Sequence, residues 1–310
     1  MDARNIGHVV FLCAMCALVG QSFLWGDPGE EPCLFDASVH TARGSTRPYK
    51  IDYEYLGGEQ YPTVLDDVVF LVLTSKAGSS RLSATQSWIS KVDPARVYIV
   101  SDRNHAETGE VTWPEAEGKK RRVDGSVRIF AAYADWYENN IDFKWTIIVD
   151  DDTWVNLDHL AAFLTRFNPA EPLMIGYLWD RVYTESVFIS GGTGILTSRP
   201  AWEAIAARVF QVPKDDFVAK TATVDPAAMY HLFANGAWAP DTIISGLAWE
   251  EGAVFVHSSL FHPFMSNDPY SRNSPEAHGA ITFHYAVKHM CNFQTWADMP
   301  YRSPQPSVPT

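Results

Sequence analysis

Between Asp67 and Asn168 the chain switches repeatedly from short, unbroken apolar runs to stretches of helical period. Val68 to Thr74 (VVFLVLT) has no polar face to offer water, the pattern of a strand covered on both sides. Arg96 to Val100 (RVYIV) and Trp145 to Val149 (WTIIV) repeat it. Between and after these runs, residues 81–90, 129–139 and 157–167 predict helices, the last stopped by Asn168-Pro169. The charge run from Lys119 to Asp124 reads as a solvated loop. Strand, helix, strand, helix, strand is the order of an α/β, doubly wound sheet with parallel strands.

The ends of the chain read differently. Arg4 precedes the apolar run Val9 to Val19, which as a helix is only about 16 Å long against a hydrocarbon core of about 30 Å. Residues 1–25 therefore read as a secretory signal peptide or, if Phe23-Leu24-Trp25 extend the helix, a short signal anchor. Either reading puts the body in the secretory pathway, in the ER or Golgi lumen or outside the cell. Residues 26–65 are Gly/Pro-rich and read as a stem, residues 66–300 as one catalytic domain, and residues 301–310 as a disordered tail. Cys33 and Cys291 are the cysteines outside the leader and, in a secreted chain, candidates for one disulfide.

Composition narrows the function. With 24 basic against 37 acidic residues the net charge is -13, which argues against an extended nucleic-acid surface. Phosphates must then be held by a local device such as a metal ion. Eleven Trp fit a protein that stacks on sugars, with Trp179, Trp238 and Trp249 as candidates, although core packing accounts for most Trp.

In a doubly wound sheet, ligands collect at the carboxyl ends of the strands. Thr74-Ser75, Ser101-Asp102 and Asp150-Asp151-Asp152 all fall there. Three adjacent carboxylates at a strand end repel one another, and a divalent cation relieves that cost. On an extended backbone Asp150 and Asp152 project to one side and Asp151 to the other, so one pair can hold Mn²⁺ or Mg²⁺ and, through it, a diphosphate. The bland alternative is an acidic turn that caps the next helix. A metal-dependent phosphatase or nuclease would also cluster Asp, but it accounts for neither the leader nor the glycine segment at 191–194.

In one order the chain carries LDDVVFLVLTS (65–75), SWIS (87–90), WTIIVDDDTWVNLDHL (145–160), ISGGTGILTSR (189–199), SSLFHPF (258–264) and TFHY (282–285). Together these resemble the Fringe-like glycosyltransferases, the group that includes Fringe and the core 1 β-1,3-galactosyltransferases. The resemblance implies a GT-A-type, Rossmann-like mixed sheet and Mn²⁺ (or Mg²⁺). It also implies inverting transfer from a UDP-sugar to a glycan or glycoprotein acceptor, making a β-1,3 linkage. Galactose is the first donor sugar implied and N-acetylglucosamine the second. Thr74, Ser75, Arg81, Asp102, Asp150, Asp151, Gly191, Gly192 and Thr193 are the expected donor-binding residues. Asp150, Asp152, His262 and His284 are the expected metal ligands, with His257 a weaker choice. Glycine at 191 and 192 is expected to let the backbone approach a sugar.

An inverting transferase also needs a general base. The family pattern, close to Asp/Glu-Asp-x-x-x-Gly, falls on Pro240-Asp241-Thr242-Ile243-Ile244-Ser245-Gly246, so Asp241 is the expected base, on the N-cap of a helix beginning near Ile243. Asp225, Glu250 and Glu251 are the next carboxylates. The single acid there and Thr193 in place of a smaller residue feed the alternative: a non-catalytic Fringe-like protein that binds glycans or a partner enzyme.

Overall fold

The apolar runs form the centre of one mixed sheet in the computed structural model, which describes residues 49–74, 79–101, 111–112, 123–181, 186–224, 240–263 and 279–284. In chain order the strands are β1 (Lys50–Ile51), β2 (Val68–Leu73), β3 (Val97–Ser101), β4 (Val111–Thr112), β5 (Trp145–Asp150), β6 (Trp154–Val155) and β7 (Leu173–Gly176). Then come β8 (Leu178–Arg181), β9 (Ser186–Ile189), β10 (Ile195–Ser198), β11 (Val254–His257), β12 (Phe261–His262) and β13 (Thr282–Phe283). The helices are α1 (Ser79–Ile89), α2 (Val123–Glu138), α3 (Leu157–Leu164), α4 (Arg199–Phe210), α5 (Lys214–Val218) and α6 (Pro240–Glu250).

The large sheet runs β1-β11-β7-β10-β5-β2-β3-β4. β2 lies between β3 and β5 and is parallel to both; the order of apolar runs predicts the parallel direction, and the structure adds which strand lies between. β10 enters antiparallel between β5 and β7, which makes the sheet mixed. Central strands have no solvated face: Val68 to Val72 in β2 and Trp145, Ile147 and Val149 in β5 are fully buried. One face, through Phe70, Val72, Ile147 and Val149, shares a core with Leu82 and Trp88 of α1 and Leu160, Phe163 and Leu164 of α3. α2 packs on β2 and β3 and also touches α4, where Phe130 stacks on Trp202 at 5.7 Å. Complete burial of a Val, Ile or Phe contributes about 1.5–3 kcal/mol, so the free energy of folding is concentrated where these runs cross.

Several boundaries differ from the sequence reading. α2 begins at Val123, so the end of the charge run is helical rather than loop. α3 ends at Leu164, not Phe167, because Arg166 and Phe167 donate to the carbonyls three residues back, Phe163 and Leu164, and tighten the last turn. The proposed stem at 26–65 runs too far: β1 adds to the sheet edge beside β11, and Asp52 is buried against Ser258 and Arg166. A buried carboxylate with two partners is not stem chemistry. All described residues fall in one compact unit, Ala42–Thr310. The leader at 1–25, Cys33, Cys291 and the tail lie outside the described residues, among which no helix is long and apolar enough to cross a membrane.

Candidate active site

Asp150 ends β5, and the chain turns at once. Asp151 N donates to Leu73 O (2.9 Å) and Thr153 N to Asp150 O (3.0 Å), so the ladder with β2 closes into a turn that leads to β6. From the side, Trp88 Nε1 of α1 donates to Thr153 O at 3.1 Å and holds that turn. The carboxylates part as expected, though through a turn rather than an extended strand. Asp151 faces the Thr74 hydroxyl, which donates to its Oδ2 at 2.7 Å, and Arg81 Nε at 3.2 Å. Asp150 and Asp152 turn the other way, toward His284, whose Nε2 stands 3.6 and 3.4 Å from their carboxylate oxygens. Arg81 Nη1 reaches Asp152 Oδ2 at 3.2 Å and ties the two sides together.

His284 is distant in sequence, and a second sheet delivers it. β13 pairs antiparallel with β6, the strand directly after the acidic turn, with Thr282 opposite Val155 and Phe283 opposite Trp154. Continuing that register brings His284 level with Thr153. β12 supports β13 from its other edge, and His284 N donates to His262 O at 3.1 Å.

The charges are unequal. Asp150 is pushed up to about 6, first by burial and then by its neighbours Asp152, Asp151 and Asp241, against the pull of His284. Burial also raises Asp151, with Thr74 and Arg81 opposing. For Asp152 burial is outweighed by the hydrogen bond and charge of His284 and by Arg81, which hold its carboxyl below the ordinary range. Ligand atoms of Asp150, Asp152 and His284 all lie within 4.8 Å of one another. Asp152 Oδ1 is buried and faces His284 Nε2 at 3.4 Å. Two carboxylate oxygens and an imidazole nitrogen are a donor set that Mn²⁺ accepts, so the residues present fit a divalent cation.

Against this cluster packs the turn from Ser190 to Gly194. Thr193 Oγ1 donates to Ser190 O (2.9 Å), Gly194 N to Gly191 O (3.0 Å), and Gly194 has φ +103°, which only glycine adopts easily. Thr153 Oγ1 donates to Gly192 O at 2.7 Å, and Thr282 Oγ1 donates to Thr193 O. Asp241 sits in the first turn of α6, which begins at Pro240, so it is inside the helix rather than capping one that starts at Ile243. Its Oδ2 accepts from Gly191 N at 3.2 Å, and its charge helps to raise Asp150. The structure thus brings together Thr74, Arg81, Asp150, Asp151, Asp152, Gly191, Gly192, Thr193, Asp241 and His284.

Other sequence candidates lie elsewhere. His262 stacks on Phe283 (4.9 Å, 17° between planes) and does not join the Asp150, Asp152 and His284 group. His257 is buried on β11, where its Nδ1 accepts from Leu178 N at 3.1 Å and burial pushes it down to about 4. Trp179 packs on Tyr177 and Trp249 on Phe255. Glu250 stands at the far end of α6 from Asp241, 3.8 Å from Arg208, and Glu251 follows it. Ser75, Asp102, Asp225 and Trp238 lie outside the described residues.

Sequence reasoning missed three contributors. Thr153 and Thr282 anchor the glycine turn, and Arg128 of α2 donates to Thr74 O at 2.7 Å, behind the hydroxyl that orients Asp151. Only adjacency to the acidic triplet and to His284 marked the two threonines, and nothing local marked Arg128.

The Fringe-like family model matches residues 63–298. Lunatic fringe of Xenopus laevis, a β-1,3-N-acetylglucosaminyltransferase, is 26% identical over 242 residues, covering 74% of this chain and 61% of its own. A human β-1,3-glucosyltransferase is 26% identical over 143 residues, 45% of this chain and 24% of its own. The chain thus spans less than two thirds of the length of either curated relative. Among solved structures, a glycosyltransferase involved in the glycosylation of the major capsid of PBCV-1 superposes with a TM-score of 0.41 at 10% identity, over 72% of this chain and 98% of that one.

Proposed function

This chain belongs to the Fringe-like family, and we propose that it is an inverting glycosyltransferase that moves a hexose from a UDP-sugar to a hydroxyl of a glycan or glycoprotein. The mixed, doubly wound α/β sheet is its GT-A-type fold. One observation carries the reading: a metal-competent trio and the Asp241 carboxylate meet the same glycine turn. Asp150, Asp152 and His284 would hold a divalent ion, which when bound would neutralise charge on the departing diphosphate. Thr74 and Arg81 hold Asp151 toward the end of β2, where a donor nucleotide would bind.

Asp241 acts as general base. As the acceptor oxygen bonds to the anomeric carbon, its proton passes to Asp241 Oδ, and the bond from that carbon to the UDP oxygen breaks. Attack from the face opposite UDP inverts the configuration and gives a β linkage, to the 3-hydroxyl by analogy with the β-1,3 relatives named above. Galactose and N-acetylglucosamine are the donor sugars to test first. The chain works in the secretory pathway, which it enters through the leader at 1–25.

The test is a donor screen with the purified chain and Mn²⁺, reading hydrolysis and transfer for UDP-galactose and UDP-N-acetylglucosamine. Turnover of one donor, lost with chelator, supports the reading. Tight Mn²⁺-dependent UDP binding without turnover of any donor gives the lead to the non-catalytic glycan-binding alternative.

A further inference from the structure

Glycines 191 and 192 are adjacent, and neither has a positive φ. Their backbone is one that alanine adopts without strain, so conformation does not demand glycine at either position. Space does. A Cβ built on Gly192 would lie 2.1 Å from His284 Cε1 and 2.4 Å from both ring nitrogens. A Cβ on Gly191 would lie 3.2 Å from Asp241 Cβ. The groups that exclude side chains here belong to this protein: Asp241 at residue 191 and His284 at residue 192.

We infer that Gly191 and Gly192 are positioning residues, a two-residue spacer in which Gly191 makes room for the Asp241 carboxylate and Gly192 for the His284 imidazole. The inference rests on the roles proposed above for those two groups. It depends on which partner yields when a methyl group is added at 192. The turn cannot back away easily, because the buried hydroxyls of Thr153 and Thr282 hold the carbonyls of Gly192 and Thr193. The ring is a side chain that can turn about χ1 and χ2, and in turning it gives up its contacts of 3.4 and 3.6 Å with the two carboxylates. An added methyl at 192 therefore pushes His284 off Asp150 and Asp152. At 191 the contact is closer to ordinary packing distance, so the effect there is milder and falls on Asp241.

The experiment compares the parent, Gly192→Ala, His284→Ala and the double variant. In metal-free protein, Gly192→Ala lowers the thermal midpoint by about 4 °C or more through overpacking, and removal of the ring in the double variant relieves that loss. With Mn²⁺ added in a calorimeter, Gly192→Ala weakens affinity by about 10-fold or more, as His284→Ala does, and the double variant binds no worse than His284→Ala. Gly191→Ala keeps Mn²⁺ affinity within about twofold of the parent and lowers kcat rather than raising KM. Additive losses in the double variant, or parental Mn²⁺ affinity and stability in Gly192→Ala, overturn the spacer. So does a double variant that fails to fold when His284→Ala folds. If the metal-free cycle shows coupling but the parent binds no Mn²⁺, the spacer stands and the metal assignment falls.

Discussion

Single side chains decide what the site can do, and substitution tests each role apart from the others. Asp152 is the carboxylate held ionised by His284 and Arg81, with one oxygen facing the imidazole. Asp152→Ala should abolish Mn²⁺-dependent UDP binding in a calorimeter while circular dichroism stays that of the parent. Asp241→Asn keeps the side chain's shape in the first turn of α6 and removes its basicity. Transfer should fall by about 100-fold or more with UDP-sugar affinity unchanged, and transfer near the parent rate would place the base elsewhere. His257 is a residue whose chemistry is structural. Its pKa lies at about 4 in the fold against 6.5 ordinarily, so as pH falls below about 6.5 the unfolded chain takes up a proton that the folded chain refuses. Stability should drop between about pH 6.5 and 4, by up to about 3 kcal/mol at the low end. His257→Asn keeps an acceptor for Leu178 N and should flatten that part of the melting-temperature profile.

At the scale of elements, the site is where short strands meet. β5 supplies the acids, and β6, only two residues long, is the template on which β13 lays His284 beside them. Two-residue strands have little stability of their own, so side-chain anchors matter. Thr282→Val removes the hydroxyl that holds Thr193 O while keeping the branched shape. It should loosen the glycine turn, weaken Mn²⁺ binding several-fold, and leave far-UV circular dichroism unchanged. α3, by contrast, rests on bulk packing: Leu160, Phe163 and Leu164 are fully buried in the core under the sheet. Leu160→Ala should cost about 2–5 kcal/mol, a melting-temperature loss that binding assays on the surviving folded fraction do not share.

For the whole molecule, the first described residues and the rest of the same compact unit are tied by a buried ion pair. Asp52 accepts from Ser258 Oγ at 2.8 Å and stands 3.7 Å from Arg166, whose guanidinium lies over the Phe163 ring at 4.3 Å. Removing one member leaves a buried charge without its counterion, which costs about 3–5 kcal/mol. A chain starting at residue 65, where sequence alone placed the end of the stem, should therefore melt well below one starting at residue 42. Equal melting temperatures would show that residues 49–64 belong to the stem after all.

The sequence by itself determined which segments form the sheet's centre, because strands buried on both faces must be apolar at every position and leave an unmistakable run. It also marked the acidic end of β5, where desolvated like charges are too costly to occur without a purpose. Short edge strands such as β1, β6 and β13 carry no such signal, since two residues show no period. Their partners are set by hydrogen bonds to chain far away, and so were the choice of His284 over His262 and the packing of Asp52 on Arg166. The glycine pair shows the division most clearly. Sequence shows that residues 191 and 192 lack side chains, but their neighbours, Asp241 and His284, lie about 50 and 90 positions further along. Only the pairing of β6 with β13 and the packing of α6 against β9 could put those neighbours there, because distance along a chain says nothing of distance across a fold.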